Sequence, residues 1–337
     1  MSNLINALVV GAGGFGLNHA RILSQLNHKR TPQIPRIDKL LVSRTNIDRA
    51  RQVAEMLEHR RKLSAHRILP VKIDSVSSLA DILQAFQPQF IAICARDKTS
   101  GDSIHVDHTV RALPYGAVLC EKPFSEAVGN GASLKIFNSL YKHKNVKQFG
   151  LELPMAVVAR KIQQNDFLQD LLSNAKQIML FWAADVPRQD IMINDLALHP
   201  WSLVHSFFHI ELRKVEDRGN QVRIHLRLRH RQSGQRTVGS ITLKNGGRFR
   251  AMEIDDHPII FQSRTDQVRL IHPDTDIKKP ELIKTDRIKG RVLLKVDNPL
   301  LQNIIAVMQH RPLVDINQTY ESQLFLEMLH GYRPESG

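Results

Sequence analysis

The sequence predicts an α/β protein in which a doubly wound parallel sheet comes first, followed by an α+β region with an open, mostly antiparallel sheet. Three observations carry this expectation. In residues 1–150 short apolar runs alternate with segments of helical periodicity, the rhythm of strands joined by crossover helices. A glycine-rich turn, Gly11-Ala-Gly-Gly-Phe-Gly16, stands between the first apolar run and the first helical segment. Beyond residue 150 extended segments dominate. A chain of 337 residues suits two domains, here divided as 1–150 and 151–337.

Residues 4–10 form the first strand and run straight into the glycine turn, and 15–26 form the helix after it. Residues 27–38, with Pro32 and Pro35, make a longer connection than usual, an insertion that costs little at a surface. Strands then follow at 39–43, 71–73, 90–94, 117–120 and 146–150, with helices at 47–62, 78–86, 103–113 and 125–143. In the second half a helical segment at 155–172 precedes strands at 178–184, 221–231, 237–244, 249–254 and 267–271, and helices at 298–309 and 320–329 close the pattern. Segment 221–231 alternates cleanly. Val222, Ile224, Leu226 and Leu228 lie on one face, and Arg223, His225, Arg227, Arg229 and Arg231 on the other. A face so rich in cations is solvated or meets an anion; solvation is favoured.

Composition excludes several classes. Hydrophobic content of 42% with 24% charged residues is ordinary for a globular protein. No apolar run is long enough to cross a bilayer, and no basic-then-apolar leader opens the chain, so no membrane association is expected. The two cysteines, Cys94 and Cys120, each close an apolar run and read as buried strand-end thiols, which fits a reducing, cytoplasmic setting. A net charge of +14 invites a nucleic-acid reading. The Lys and Arg residues are scattered, however, with no zinc-ligand spacing, RNA-binding aromatic signature or basic zipper, so neither nucleic acid nor metal is expected. A proteome-wide basic bias or an anionic small substrate explains the charge at least as well.

Gly11, Gly13 and Gly16 fill the glycine positions of GxGxxG between a strand and a helix, the Rossmann dinucleotide fingerprint. The first permits the tight turn, the second lets backbone approach a pyrophosphate, and the third lets helix and strand pack closely. The helix N-terminus then offers free N–H groups to the phosphates. At the end of the second strand, where NAD-binding proteins carry Asp or Glu, the chain reads Val42-Ser-Arg-Thr45. Ser43 and Arg44 can donate to a 2′-phosphate that a carboxylate would repel, so NADP(H) is favoured and NAD(H) is the alternative.

The glycine turn followed by His19, then His105, then Val118-Leu-Cys-Glu-Lys-Pro-Phe124, resembles the glucose–fructose oxidoreductase / inositol dehydrogenase (Gfo/Idh/MocA) family. Asp195-Leu-Ala-Leu-His199 resembles that family's Asp-x-x-x-His. The resemblance implies an NAD(P)-dependent dehydrogenase acting on a secondary alcohol of a sugar-like or cyclitol-like small molecule, working as a dimer or tetramer. It implies Lys122 as the active-site lysine, with His199 and Asp195 as partners from the second domain. The cofactor-contacting set is Gly11, Gly13, Gly14, Phe15, Gly16, Ser43, Arg44, Ala95, Glu121 and Lys122. His199 titrates near neutral pH and suits proton transfer. A partly desolvated Lys122 can do the same or hydrogen-bond a developing alkoxide. Pro123 restricts Lys122 to extended backbone. Pro200 suggests that a helix starts near His199, leaving Asp195 on a loop. Two segments depart from the family, 95–101 and 188–194, and their Arg96, Lys98 and Arg188 would suit an anionic substrate. The rival reading is a dinucleotide-binding sensor without turnover.

Overall fold

The structure, a computed structural model, describes residues 4–28, 34–59, 67–96, 104–126, 132–186, 191–264, 266–274 and 288–332. The chain divides into two units, Met1–Glu152 with Leu300–Glu321, and Leu153–Pro299 with Ser322–Gly337.

The first unit holds β1 (Leu4–Val10), α1 (Gly16–Gln25), β2 (Arg36–Arg44), α2 (Ile47–His59), β3 (Arg67–Lys72), α3 (Val76–Phe86), β4 (Phe90–Ile93), α4 (His105–Ala112), β5 (Ala117–Glu121), α5 (Ala132–Tyr141) and β6 (Phe149–Glu152). The six strands pair in the order β3-β2-β1-β4-β5-β6, all parallel. This is the doubly wound order, with its switch point between β1 and β4, where ligands bind outside the carboxyl ends of the strands. β1, β4 and β5 are near-continuous apolar runs because helices cover both faces of a parallel sheet. The long connection before β2 is pinned at its end. The Asn27 side chain donates to the Ile37 carbonyl and accepts the Ile37 N–H, both at 2.8 Å.

The second unit holds α6 (Pro154–Ile162), α7 (Asp166–Asn174), β7 (Gln177–Ala184), α8 (Met192–Leu196), α9 (Leu198–His205), β8 (Phe208–Asp217), β9 (Gln221–His230), β10 (Arg236–Asn245), β11 (Arg250–Ile254), β12 (His257–Arg264), β13 (Gln267–Pro273) and β14 (Gly290–Asp297). Its eight strands pair β14-β13-β12-β11-β7-β10-β9-β8, antiparallel except for β7 beside β10. The helix expected at 155–172 is two helices. Asn165 separates them, its side chain capping α7 by accepting the Leu168 N–H at 3.0 Å. Three strands go beyond the sequence expectation: β8, β12 and β14. In β8 a register shift between Leu212 and Lys214 breaks the two-residue alternation by which a strand is recognised. Along β9 the apolar face is buried as expected, while Arg223, Arg227 and Arg229 are exposed. That cationic face is partly neutralised from β8, where Glu216 lies 3.2 Å from His225 and Glu211 3.9 Å from Arg227.

Two further helices follow, α10 (Pro299–Met308) and α11 (Ile316–Gly331). Leu301, Ile304, Val307 and Met308 join the core of the first unit with Val9, Leu23, Leu40, Phe90 and Leu119. Among the described residues no helix is long and apolar enough to cross a membrane, and no cluster of three His, Cys, Asp or Glu residues could hold a metal ion.

Candidate functional site

The glycine turn is shaped by close approaches on three sides. Gly11 has φ +83°, and a Cβ there would meet the Ala95 Cα at 2.7 Å, so the turn presses on the second residue after β4. At Gly16 a Cβ would collide with the Gly11 carbonyl and touch the Cys94 Cβ at 3.0 Å, which is why α1 can start so close to β1 and β4. At Gly13 it would fall on the Arg44 guanidinium. Gly14, at φ +51°, faces open space. The N–H groups of Gly14 and Phe15 have no acceptor among the described residues, and no side chain caps α1. Free donors at a helix N-terminus beside an open backbone suit a pyrophosphate.

Ser43 and Arg44 take different parts. Ser43 is 1% exposed; its Oγ accepts the Gly11 N–H at 3.0 Å and its carbonyl accepts the Ala12 N–H at 2.8 Å. It is thus a strut under the turn. Arg44 lies over Gly13, with Nη1 donating to the Ala12 carbonyl at 3.4 Å. A cavity of about 640 Å³ opens here, lined among others by Gly13, Gly14, Phe15, Arg44, Arg96 and Glu121. Asp74, unanticipated from sequence, also lines it, with its carboxylate 2.6 Å from the Lys72 ammonium.

Cys120 and Glu121 end β5, and the Lys122–Pro123 peptide that follows is cis. His105 Nδ1–H donates to the Pro123 carbonyl at 2.7 Å. Burial lowers the His105 pKa to about 4, so the ring is neutral and serves as a fixed donor. Phe124 is clamped by Phe137 and Phe149, with ring centres 5.5 and 5.3 Å away. Lys122 is therefore carried on a segment anchored on its C-terminal side. Burial raises the Glu121 pKa to about 7; Lys122 opposes the rise, Glu152 adds to it, and Arg96 and His19 oppose it. Glu152 is the cross-strand neighbour of Glu121, and its Oε2 lies 2.6 Å from His19 Nε2, both residues being buried. His19 belongs to the sequence motif. Glu152 closes a sixth strand without any local signature of a site.

Cys94 and Cys120 are free thiols at the ends of adjacent strands, with burial pushing both pKa values well above the ordinary thiol range. They are inert in that state. Arg96 lines the cavity, whereas Lys98 and Arg188 lie outside the described residues.

In the second unit Asp195 is in α8 and His199 in α9, both half-buried. The expectation that Asp195 lies on a loop is corrected. Pro200 has no N–H to give the Leu196 carbonyl, so the helix lapses only at Ala197, which itself keeps helical dihedrals of −63° and −34°. The Ala197 N–H reaches the Ile193 carbonyl at 2.9 Å, and the Trp201 N–H reaches the Ala197 carbonyl at 3.1 Å. Along this nearly unbroken helical path a four-residue spacing sets Asp195 and His199 on one side. The His199 ring stacks on Trp182 of β7, with centres 5.7 Å apart and planes 18° from parallel.

Comparison with known proteins adds the following. The sequence profile of the Gfo/Idh/MocA oxidoreductase family, described by its NAD-binding Rossmann fold, matches residues 5–145. No curated protein sequence matches the chain. Among solved structures the chain is similar to levoglucosan dehydrogenase, both without ligand and in complex with NADH. For each the TM-score is 0.66 and the identity 11%, over 98% of this chain and 97% of that one. It is also similar to UDP-N-acetylglucosamine 3-dehydrogenase from Acidithiobacillus ferrooxidans, with a TM-score of 0.62 and 17% identity over the same shares. At such identities the likeness is one of fold.

Proposed function

We propose that the chain is an NADP(H)-preferring dehydrogenase, a reading supported by the match of residues 5–145 to the Gfo/Idh/MocA oxidoreductase family. Its substrate is a secondary alcohol, or the matching ketone or imine, of a sugar-like or cyclitol-like compound. The observation that carries the reading is the cavity at the glycine turn, where Gly14 leaves backbone open and Arg44 stands where an NAD-binding protein carries a carboxylate. When bound, the nicotinamide dinucleotide supplies or accepts the hydride. The Gly14 and Phe15 N–H groups hold the pyrophosphate, and Arg44 holds the 2′-phosphate with charge-assisted hydrogen bonds.

Lys122 Nζ hydrogen-bonds the substrate oxygen and holds the proton that leaves or joins it. His199 is the second group able to carry that proton, at an imidazole nitrogen, with Asp195 orienting it or contacting a substrate hydroxyl. Glu121 stands next to Lys122, whose charge opposes the rise that burial imposes on the Glu121 carboxyl. Association of copies through the open sheet of the second unit belongs to the same reading.

The test is titration with NADPH and NADH followed by a substrate screen read by nicotinamide absorbance. NADPH is expected to bind more tightly than NADH. Arg44→Ser is expected to weaken NADPH about 10- to 100-fold, the worth of a charge-assisted pair, while changing NADH little. Lys122→Ala is expected to abolish hydride transfer with NADPH binding retained. Binding of neither cofactor in the micromolar range would overturn the reading.

A further inference from the structure

We propose that Arg250 is the anion-recognising residue of the substrate site, so that the substrate carries an oxyanion, a carboxylate or a phosphate. The inference deepens the proposed function and rests on His199 belonging to the substrate site.

Arg250 opens β11 and pairs in register with Trp182 of β7, which sets both side chains on one face of the sheet. Its guanidinium carbon lies 5.1 Å from the centre of the Trp182 ring, a cation–π contact. His199 stacks on that same ring at 5.7 Å. One buried indole is therefore contacted both by the candidate proton carrier and by a cation. Its buried Nε1–H has no acceptor among the described residues.

The arginine has far more donor capacity than the protein uses. Among the described residues one of its five N–H donors is engaged, from Nη1 to the Ser263 hydroxyl at 3.3 Å. Among the described residues no carboxylate pairs with it. Another cation, Arg248, adds to burial in lowering the Arg250 pKa below the ordinary arginine value. A half-buried cation left unpaired is costly unless something else brings the counter-charge. Guanidinium geometry matches carboxylate or phosphate oxygens in a two-point contact. Ser263 fixes the fork from one side and leaves the remaining donors for such a group.

The test uses calorimetric titration of the full NADPH-loaded protein with matched pairs: D-glucuronate against its methyl ester, and D-glucose 6-phosphate against D-glucose. At least one anionic probe is expected to bind tenfold or more tightly than its neutral partner, with binding weakening as salt rises. Arg250→Gln is expected to lose that tenfold preference and Arg250→Lys to keep part of it, because charge survives without the fork. The pair that discriminates tells carboxylate from phosphate. Equal binding of anionic and neutral probes, unaltered anion binding in Arg250→Gln, or no anion binding at all would overturn the proposal. NADPH binding, read separately in each variant, distinguishes these outcomes from failure of the cofactor assignment.

Discussion

Ser43 and Arg44 are adjacent at the end of β2 yet divide the work between them, because consecutive strand residues point to opposite faces. The side that carries Ser43 meets the glycine turn, and the side that carries Arg44 meets the cavity. The sequence identified both positions as special, but only the register of β1 against β2 assigns the hydroxyl to the turn. His105 gives a pH dependence with a definite sign. Its folded pKa of about 4 lies below the ordinary 6.5, so the unfolded chain takes up a proton first as pH falls. Its contribution to stability is complete above pH 6.5 and is lost as pH drops toward 4, amounting to roughly 3 kcal/mol. His105→Gln is expected to flatten that acid limb while lowering stability at neutral pH by about 1–3 kcal/mol through loss of the buried bond to Pro123. Urea unfolding at a series of pH values checks both effects.

At the scale of elements, α1 and its turn are the best-written part of the chain. The apolar run, the glycines and the helix are contiguous, so their expected bounds differ from the observed ones by at most one residue at each end. Gly16→Ala is expected to push α1 away from β1 and β4, costing about 1–3 kcal/mol and most NADPH affinity, as read by thermal unfolding and cofactor titration. The pair α8 and α9 was less legible. Proline signals a helix boundary to a sequence reader, but a single missing N–H interrupts a helix without ending its course when neighbouring bonds persist. Strands β8, β12 and β14 escaped for a related reason. In β8 and β14 charged outer positions and register shifts weaken alternation, and β12 carries the unalternating run Pro258–Phe261, while pairing to neighbours supplies what local preference lacks.

At the scale of the whole molecule, the first unit is not contiguous in sequence. Leu300–Glu321 belongs to it, and the Leu151 N–H donates to the Val314 carbonyl at 3.0 Å. Ile304 is fully buried there, so Ile304→Ala is expected to destabilise this unit by about 2–5 kcal/mol. Chemical denaturation followed by intrinsic fluorescence reports it. By itself the sequence determined the fold class, the cofactor turn and the Glu-Lys-Pro segment, because each is written in neighbouring residues whose backbone needs and periodicity are local. The tertiary structure decided that Ser43 holds the turn, that Glu152 pairs with His19, that Arg250 and His199 both meet the Trp182 ring, and that a late helix completes an early core. Those partners are distant along the chain, and strand order and register, not local propensity, bring them into contact.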